Sequence, residues 1–438
     1  MTPLPRDVWP RLHTEQSTRS VVVGIYILVL LAAAAEIGRS LGRMHAVIFS
    51  GYVQLGDVVL AGGDPYSVTL NTWPPFFSFI AAALALVSRW SAPLALLGWQ
   101  VGGALAIWGC CRLSAQLITG ENAPVTFWPR DGDRLAFTSS LVIVPFLMMA
   151  RLFQEHLQHT QVNAQVLFLV LLAFQLFRRA HPAAGGLSLA VAASTKAMPI
   201  LFIPYLFYKR AWRELGWTAL FLGVFNVVLP WLAFGPARAT ALWTSWRAVA
   251  GSMAADPTPH FMNQSLSAAL KRLFSVVGSA RDPIHYAVFD WPETTVRWVF
   301  VGLALLAALW LAWRFRGHPR DWRDPRVGAE LAILLGAMVV VDPLAWKAHY
   351  VALIVPYTFV WWALRRRPPE APGRVWRWAL WWGSFACITL SAPALVGRHA
   401  RDVLESLNVI LIGALLLLVL AISLIDVRHQ TSDVRPQA

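Results

Sequence analysis

A lysine within an apolar stretch is one candidate in this chain for a reactive side chain. Lys196 lies in the sequence Ala-Ser-Thr-Lys-Ala-Met-Pro, with largely apolar residues on both sides. An ammonium group deep in a membrane costs at least ~2.5–3.5 kcal/mol on insertion scales, so it needs a partner or a water-filled cavity. We interpret Lys196 as a contact for a phosphate group; the alternative is a lysine that extends to the membrane interface.

A second group of reactive side chains joins two apolar runs. Within eight residues, the segment that begins at Asp342 and ends at His349 also contains Lys347. A carboxylate, an ammonium and an imidazole in such proximity can move a proton and stabilise charge on a leaving phosphate. The alternative is an exposed turn with an incidental ion pair.

Two polar segments stand beside apolar runs. Gln161 and Asn163 follow His156 and His159 and open an apolar run, so they are candidates for substrate contact or for hydrogen bonds between helices. In the second segment, Asn263 is a further candidate for substrate contact. The residues after it have leucines at helical spacing, which predicts an amphipathic helix capped by Asn263 or Ser265.

A loop rich in turn residues precedes the apolar run that begins near residue 73. It contains Gly-Gly-Asp-Pro-Tyr, with Asp64 and Tyr66 as its polar members, and then Trp-Pro-Pro-Phe from Trp73. Backbone at membrane level must find hydrogen bonds within the protein, so such loops survive packed against protein or lining a cavity. The loop either builds a site at the membrane face or serves as a linker with ordinary turn chemistry.

Composition requires a membrane to position these residues. The chain is 57% hydrophobic and 14% charged, against about 25% charged residues in soluble domains. Apolar runs of about 20 residues predict an all-α, polytopic bundle of about 12 membrane spans. The predicted spans lie near residues 20–38, 73–88, 92–111, 134–150, 161–177, 183–207, 214–234, 296–315, 329–345, 350–365, 376–396 and 403–425.

The net charge of +14 is distributed as in membrane proteins, not as in nucleic-acid-binding proteins. Arginines and lysines cluster in three short loops, near residues 209–213, 314–326 and 365–377. The positive-inside rule places these loops, the N-terminal segment 1–19 and the tail 426–438 in the cytoplasm. Segments 39–72 and 235–295 then face outward. This arrangement predicts a multi-pass protein of the cell membrane, surrounded by lipid, with no nucleic-acid partner.

Region 134–207 does not fit this scheme. Simple alternation of spans places Arg178 and Arg179 outside and Glu155 inside, which reverses the usual bias. Either the charge rule fails locally, or the region contains helices that cross only half of the membrane.

Motifs for cofactors are absent from the sequence. The three cysteines lie in or beside apolar runs without metal spacing, and there is no phosphate-binding loop or dinucleotide fingerprint. We therefore expect no cofactor and no metal.

The order of the short motifs resembles a known family. Gly-Gly-Asp-Pro-Tyr with Trp-Pro-Pro, Gln-Val-Asn from Gln161, Ser-Thr-Lys ending at Lys196, Asn-Gln-Ser from Asn263 and Pro-Leu-Ala-Trp before His349 follow the pattern of glycosyltransferase family 87. The resemblance runs from about residue 20 to 365. It implies a GT-C fold and inverting transfer of mannose from a polyprenyl-phosphate donor to a glycolipid or cell-envelope glycan.

The resemblance also implies roles for the candidate residues. Lys196, Lys347 and His349 would contact the phosphate or the acceptor. The family's carboxylate after the first span is missing, because Ile48 occupies that position. Asp57, Asp64 or Asp342 would then replace the catalytic base.

Two other classes remain open. The first is a non-catalytic lipid-sugar carrier or flippase, or a relative that has lost its activity. The second is a ligase of surface glycans, with catalytic candidates Arg238, Arg247, His260 and His285 in the segment 235–295.

Overall fold

The computed structural model describes residues 48–68, 71–120, 140–255, 257–276, 283–284, 286–316, 321–324, 326–368 and 370–425, with isolated helical positions between 24 and 42. Across these residues the chain is helical and contains no strand, which confirms the all-α prediction. Segment 1–19, tail 426–438 and His285 lie outside the described residues.

In the first half of the chain the helices are α1 Ile48–Leu60, α2 Phe77–Thr119, α3 Ser140–Met148, α4 Ala150–Gln158, α5 Asn163–Arg178, α6 Pro182–Thr195, α7 Phe202–Tyr208, α8 Trp212–Gly223 and α9 Leu229–Phe234. Short 3₁₀ helices occupy Pro65–Ser67 and Met198–Leu201, and a π-helical turn at Val224–Val228 joins α8 to α9.

In the second half they are α10 Pro236–Ala255, α11 Leu266–Phe274, α12 Glu293–Arg314, α13 Arg326–Val341, α14 Ile354–Arg366, α15 Arg374–Phe385, α16 Pro393–Val396, α17 Arg398–Ser406 and α18 Val409–Leu424. A 3₁₀ helix spans Lys347–Leu353, and a π-helical turn spans Ala386–Leu390.

Several described helices are suited to a membrane. By length and composition three can cross one, namely α2, the continuous run Trp212–Phe234 and α12, and the number rises to five if two bent pairs each form one span. Helix α12 is almost entirely exposed, as expected for a surface in contact with lipid. The prediction of a membrane protein is confirmed at this level, whereas twelve spans and the GT-C fold are not confirmed.

Helix α2, which covers two of the predicted spans, contains a break. Its 43 residues would extend about 65 Å, roughly twice the hydrocarbon thickness. Ser91 has non-helical dihedral angles, φ −158° and ψ 102°, and Pro93 follows. The break divides α2 close to the boundary between the predicted spans 73–88 and 92–111.

The predicted outer segments are more helical than expected. Segment 39–72 contains α1, which buries Phe49, Tyr52, Leu55 and Val59, spaced three or four residues apart, against the bundle. Within segment 235–295, α10 and α11 are helical. The amphipathic α11 begins as predicted, since the Ser265 hydroxyl accepts a hydrogen bond from the Ala268 N–H at 3.1 Å.

Close helix contact in the bundle depends on glycine. A Cβ added to Gly56 of α1 would lie 2.0 Å from the Ala81 carbonyl oxygen of α2. One added to Gly328 of α13 would lie 2.5 Å from the Leu117 carbonyl oxygen. Small residues let membrane helices approach backbone to backbone, so these positions fix α1 and α13 against α2.

The structure accounts for the conflict in region 134–207. Arg178 donates to the Gln116 carbonyl at 2.8 Å, and neighbouring Phe177 packs against Trp322 of the second basic loop. Lys209 of the first basic loop pairs with Glu330 at 2.8 Å. We call this the basic end of the bundle. Arg178 therefore lies with the other basic segments, as the charge rule requires.

Glu155 and its neighbours lie at a different end, which we call the site end. Asn163, which follows them, donates to the Ala348 carbonyl at 3.1 Å. Helices α3 and α4 are bent by 60° at a break, as a broken span or a re-entrant loop would be. A bent pair removes the simple alternation of spans on which the conflict rested. Which end faces the cytoplasm stays a prediction.

Candidate active site

Lys196 lies at a break between helices. Helix α6 ends at Thr195, Lys196 is extended at φ −144° and ψ 130°, and Pro199 follows in the next 3₁₀ helix. Proline cannot continue an α-helix, so the chain turns here and leaves the lysine side chain half-buried. Its ammonium donates to Asn163 Oδ1 at 2.6 Å. The prediction that this lysine has a partner is therefore correct.

Asn163 joins three segments at the first residue of α5. Besides accepting from Lys196, its amide donates to the Ala348 carbonyl at 3.1 Å and to Gln161 Oε1 at 3.4 Å. Thr160, at φ 52°, turns the chain from α4 into α5. The structure thus brings three predicted site residues, Gln161, Asn163 and Lys196, into one connected group.

Asp342 and His349 face each other in the segment between α13 and α14. The Asp342 carboxylate accepts from the Leu344 N–H at 3.0 Å, and its Oδ2 lies 3.9 Å from His349 Nδ1. Burial raises the pKa of Asp342, although the nearby Lys196 opposes this. Burial and Lys196 both lower the pKa of His349 well below its usual value. His349 is therefore neutral, and Asp342 is a stronger base than a solvated aspartate.

A cavity opens next to these groups. It is a small, partly open cavity of about 20 Å³, and its polar lining consists of Asn163, Lys196 and His349. The rest of its wall is apolar and comes from α5, α7, α13 and the 3₁₀ helices: Val166, Leu167, Val170, Met198, Pro199, Phe202, Leu335, Met338, Val351 and Ala352. The cavity is therefore amphipathic, with one cation among apolar side chains.

The comparison with known protein families fits this picture. The model of glycosyltransferase family 87 matches residues 71–343, well over half of the chain. The chain belongs to glycosyltransferase family 87. It is therefore a membrane glycosyltransferase, an enzyme that transfers a sugar from a donor to an acceptor. No curated protein and no solved structure matches the chain.

Lys347, which was predicted to contact the donor phosphate or the acceptor, is instead paired with side chains of the protein itself. Lys347 forms ion pairs with Glu405 at 2.9 Å and with Glu155 at 3.3 Å, and its side chain is only 4% exposed. Two carboxylates therefore hold the ammonium that the sequence suggested for a phosphate.

None of the three candidate bases lines the cavity, and two of them also lie away from its polar residues. Asp57 pairs with Arg89 at 2.8 Å and keeps 45% of its side chain exposed. Asp64 caps the 3₁₀ helix Pro65–Ser67 by accepting from the Tyr66 N–H at 3.0 Å, and it also accepts from Ser245. Within the described residues, neither carboxylate contacts the group around Asn163. Of the three candidates, only Asp342 lies there.

Tyr66 and Asn263 hold loops. The Tyr66 hydroxyl donates to the Trp73 carbonyl at 2.9 Å, which closes the turn-rich loop. Asn263 is fully buried; its amide donates to the Pro343 carbonyl at 3.0 Å, and its Oδ1 accepts from the Ala345 N–H at 3.1 Å. Asn263 therefore supports the segment that carries Asp342 and His349.

The position of the missing family carboxylate is close to this site. Ile48 begins α1 and is half-buried, and the next residue, Phe49, donates its N–H to Thr160 Oγ1 at 2.9 Å. Thr160 precedes Asn163 by three residues. Position 48 thus lies beside the turn into α5.

Sequence reasoning missed two residues of the site. His156 is 1% exposed, its Nδ1 has no hydrogen-bond partner in the described part of the chain, and its charge would interact with Lys196 and His349. Glu405 is fully buried against Lys347. His156 was noted only as a member of a polar stretch, and nothing local in the sequence distinguishes Glu405 from a surface glutamate.

Proposed function

We propose that this protein transfers a hexose, mannose in our assignment, from a polyprenyl-phosphate donor to a glycolipid or cell-envelope glycan, with inversion at the anomeric carbon. The observation that carries the proposal is the amphipathic cavity. A lipid phosphate has an apolar chain and an anionic head, and the cavity offers an apolar wall with one ammonium beside it. We place the protein in the cell membrane with both termini in the cytoplasm.

Lys196 is suited to hold the donor phosphate. An ammonium carries three donors, and one of them is used by Asn163. The other two can reach phosphate oxygens, whose negative charge increases as the bond to the sugar breaks. Cations directed at a leaving group stabilise the transition state more than the ground state, so Lys196 accelerates departure of the lipid phosphate.

Asp342 is the carboxylate that we assign as the base. The acceptor oxygen forms a bond to the anomeric carbon while the bond from that carbon to the phosphate oxygen breaks. The phosphate leaves with the electron pair, and the acceptor proton passes to Asp342. The Asp342 side chain is 14% exposed, and neutral His349, which lines the cavity, lies 3.9 Å from it. His349 can therefore position the acceptor hydroxyl by hydrogen bonding.

The test is sugar transfer by the purified protein in nanodiscs, with a short-chain polyprenyl-phosphate mannose and candidate glycolipid acceptors. Asp342→Asn is expected to lower kcat at least 100-fold, since general base catalysis contributes about 10²–10⁴-fold. Asp57→Asn and Asp64→Asn are matched controls and should retain activity. Loss of transfer in either control, with Asp342→Asn active, would move the base to that residue.

The absence of a carboxylate at Ile48 favours a second candidate function, a relative that binds the lipid-linked sugar without transferring it. Ile48→Asp separates the two. If the wild type binds donor and transfers nothing while Ile48→Asp turns over, the chain is a binding protein or carrier. Transfer by the wild type rejects this alternative.

A further inference from the structure

A buried cluster of charges lies directly beside the candidate active site. Glu405 accepts from Lys347 at 2.9 Å and from Arg151 at 2.9 Å, and Glu155 lies 3.3 Å from Lys347. The Glu405 and Lys347 side chains are 0% and 4% exposed. We call these four residues the Glu405 cluster. Two cations and two carboxylates make the cluster electrically neutral when all four are ionised.

Stability alone is a weak reason for such a cluster. Desolvating several charges costs free energy, and well-packed apolar residues of similar size often stabilise a protein as much or more. Buried ion pairs can instead select one arrangement of the chain, because any shift leaves a charge without its partner. The role of the Glu405 cluster therefore depends on which parts of the chain it connects.

The Glu405 cluster connects α17 to the segment that carries the catalytic candidates. Lys347 immediately precedes Ala348, whose carbonyl accepts from Asn163, and His349 follows. A displacement of Lys347 would therefore move both the Asn163 partner and His349. Asn163 in turn holds Lys196, so the arrangement of the polar residues that line the cavity depends on this segment.

A second tether runs between the same two elements. Gln264 donates its side-chain amide to the Glu405 carbonyl at 2.7 Å, and its backbone N–H donates to the Ala345 carbonyl at 2.9 Å. Tyr350 donates its hydroxyl to the Gln264 carbonyl at 2.6 Å. Glu405 thus holds the segment through its side chain and, via Gln264, through its backbone.

The remaining contacts hold Arg151 and the end of α17. Arg151 donates to Ser391 Oγ and, at 2.9 Å, to the Ile388 carbonyl of the π-helical turn. The Tyr286 hydroxyl donates to the Ser406 carbonyl at 2.6 Å. Both Arg151, which pairs with Glu405, and Ser406, next to Glu405, are therefore tied to other parts of the fold. Glu405 also lies beyond residue 343, where the family match ends, so family membership assigns it no role.

We propose that Glu405 is a positioning residue of the active site. Its carboxylate fixes Lys347 and thereby holds the Ala348 carbonyl and His349 in register with Asn163 and Lys196. Lys347 acts as the anchor of this segment and does not contact the donor phosphate, because its ammonium is engaged by two carboxylates. The effect on turnover rests on the proposed function, whereas the effect on local structure does not.

The test compares Glu405→Gln, Lys347→Met and the double variant. Each single change leaves the cluster with one excess charge, positive in Glu405→Gln and negative in Lys347→Met, whereas the double change restores neutrality between Arg151 and Glu155. Glu330→Gln is the matched control, since Glu330 is also 0% exposed and pairs with Lys209 at the basic end. Thermal stability, kcat, the donor KM and amide hydrogen exchange of residues 342–353 are measured for each variant.

We expect Glu405→Gln to accelerate exchange in 342–353 and to lower kcat at least 10-fold with little change in the donor KM. The double variant should regain most of its thermal stability while kcat stays low and exchange stays fast, because the tether is still missing. Glu330→Gln should lower thermal stability without changing exchange in 342–353.

A double variant that regains stability, kcat and slow exchange together would overturn the proposal, because the cluster would then be structural only. The double variant also keeps the test decisive if a single variant does not fold. A wild type that transfers no sugar would reject the proposed function instead. The exchange data of the double variant against Glu330→Gln would still decide the positioning role.

Discussion

Lys196 and Asn163, 33 positions apart in the sequence, are joined by a hydrogen bond of 2.6 Å. Lys196 comes from the break after α6, and Asn163 is the first residue of α5. Through the Ala348 carbonyl the same asparagine reaches the segment that contains His349. The Asn163 side chain thus links the Lys196 ammonium to the segment that carries His349, the third polar residue of the cavity lining.

Removing the ammonium should weaken donor binding. Lys196→Met keeps the length of the side chain but removes a charge-assisted hydrogen bond, which is typically worth about 1.5–3 kcal/mol. The dissociation constant of a short-chain polyprenyl phosphate should rise about 10- to 150-fold, as measured by binding to protein in nanodiscs. Arg89→Gln, at an exposed ion pair, is the control and should bind normally. Unchanged affinity in Lys196→Met would remove this residue from the donor site.

Neutralising Asp342 should stabilise the protein while abolishing transfer. The folded-state pKa of Asp342 is raised by burial, so the ionised carboxylate at neutral pH carries a desolvation cost that the unfolded chain lacks. Asp342→Asn removes that cost and keeps an acceptor for the Leu344 N–H. Its melting temperature at neutral pH should exceed that of the wild type, and a lower value would contradict the assignment of a destabilised base.

The same shift predicts the pH dependence of turnover. A base must be deprotonated, so kcat/KM should fall as the pH decreases through the raised pKa of Asp342, at a higher pH than for a solvated aspartate. Burial and Lys196 shift the His349 pKa downward, so its protonation contributes at a lower pH than that of a solvated histidine. A profile of kcat/KM against pH for wild type and His349→Gln measures this. Loss of the acidic limb in His349→Gln would assign it to the histidine.

The segment before His349 should depend on Asn263. Asn263→Ala leaves the Ala345 N–H without its partner, at about 1–3 kcal/mol for a buried group, and leaves the Pro343 carbonyl with only the 3.4 Å hydrogen bond from the Ser265 hydroxyl. We expect a lower melting temperature and faster amide exchange at 343–349. Ser265→Ala serves as comparison, since it removes the helix cap, at about 1 kcal/mol, and only the longer 3.4 Å hydrogen bond to Pro343, so it should loosen α11 more than 343–349. Equal exchange at 343–349 in both variants would argue against the support role.

The packing of α1 against α2 should be disrupted by a larger residue at Gly56. Gly56→Val would place a side chain within contact distance of the α2 backbone at Ala81 and force the helices apart. Overpacking of this kind costs about 1–3 kcal/mol, so the melting temperature should fall. Gly51→Val, on the open face of α1, is the matched control and should have little effect.

The sequence predicted the local features well because they depend on local chemistry. The all-α class and the capped helix after Ser265 follow from apolar runs and capping residues, whereas the single span predicted over 183–207 is interrupted at Lys196. The segment from Asp342 to His349 was also recognised, because three reactive groups fall within a few positions.

The pairings between distant residues could not be predicted in the same way. Lys347 and Glu405 are 58 positions apart, and only the packing of α17 against the site end makes Lys347 an anchor. Likewise, Asp57 is paired with Arg89, 32 positions away, which makes this carboxylate a poor candidate for the base. Residue type and spacing indicate which reactions a side chain could support. Whether the side chain is free to support them depends on its partners in the folded protein.

The most direct test of the account is to locate the lipid donor. A polyprenyl phosphate with a photoreactive group near the phosphate would be cross-linked to the wild type in nanodiscs, with an excess of unlabelled lipid phosphate as competitor, and mapped by mass spectrometry. We predict competed labelling at Val166–Val170, Met198–Phe202 and Leu335–Met338, reduced by Lys196→Met. Labelling confined to the exposed surfaces of α8 and α12, insensitive to competitor and to Lys196→Met, would contradict the placement of the donor in this cavity.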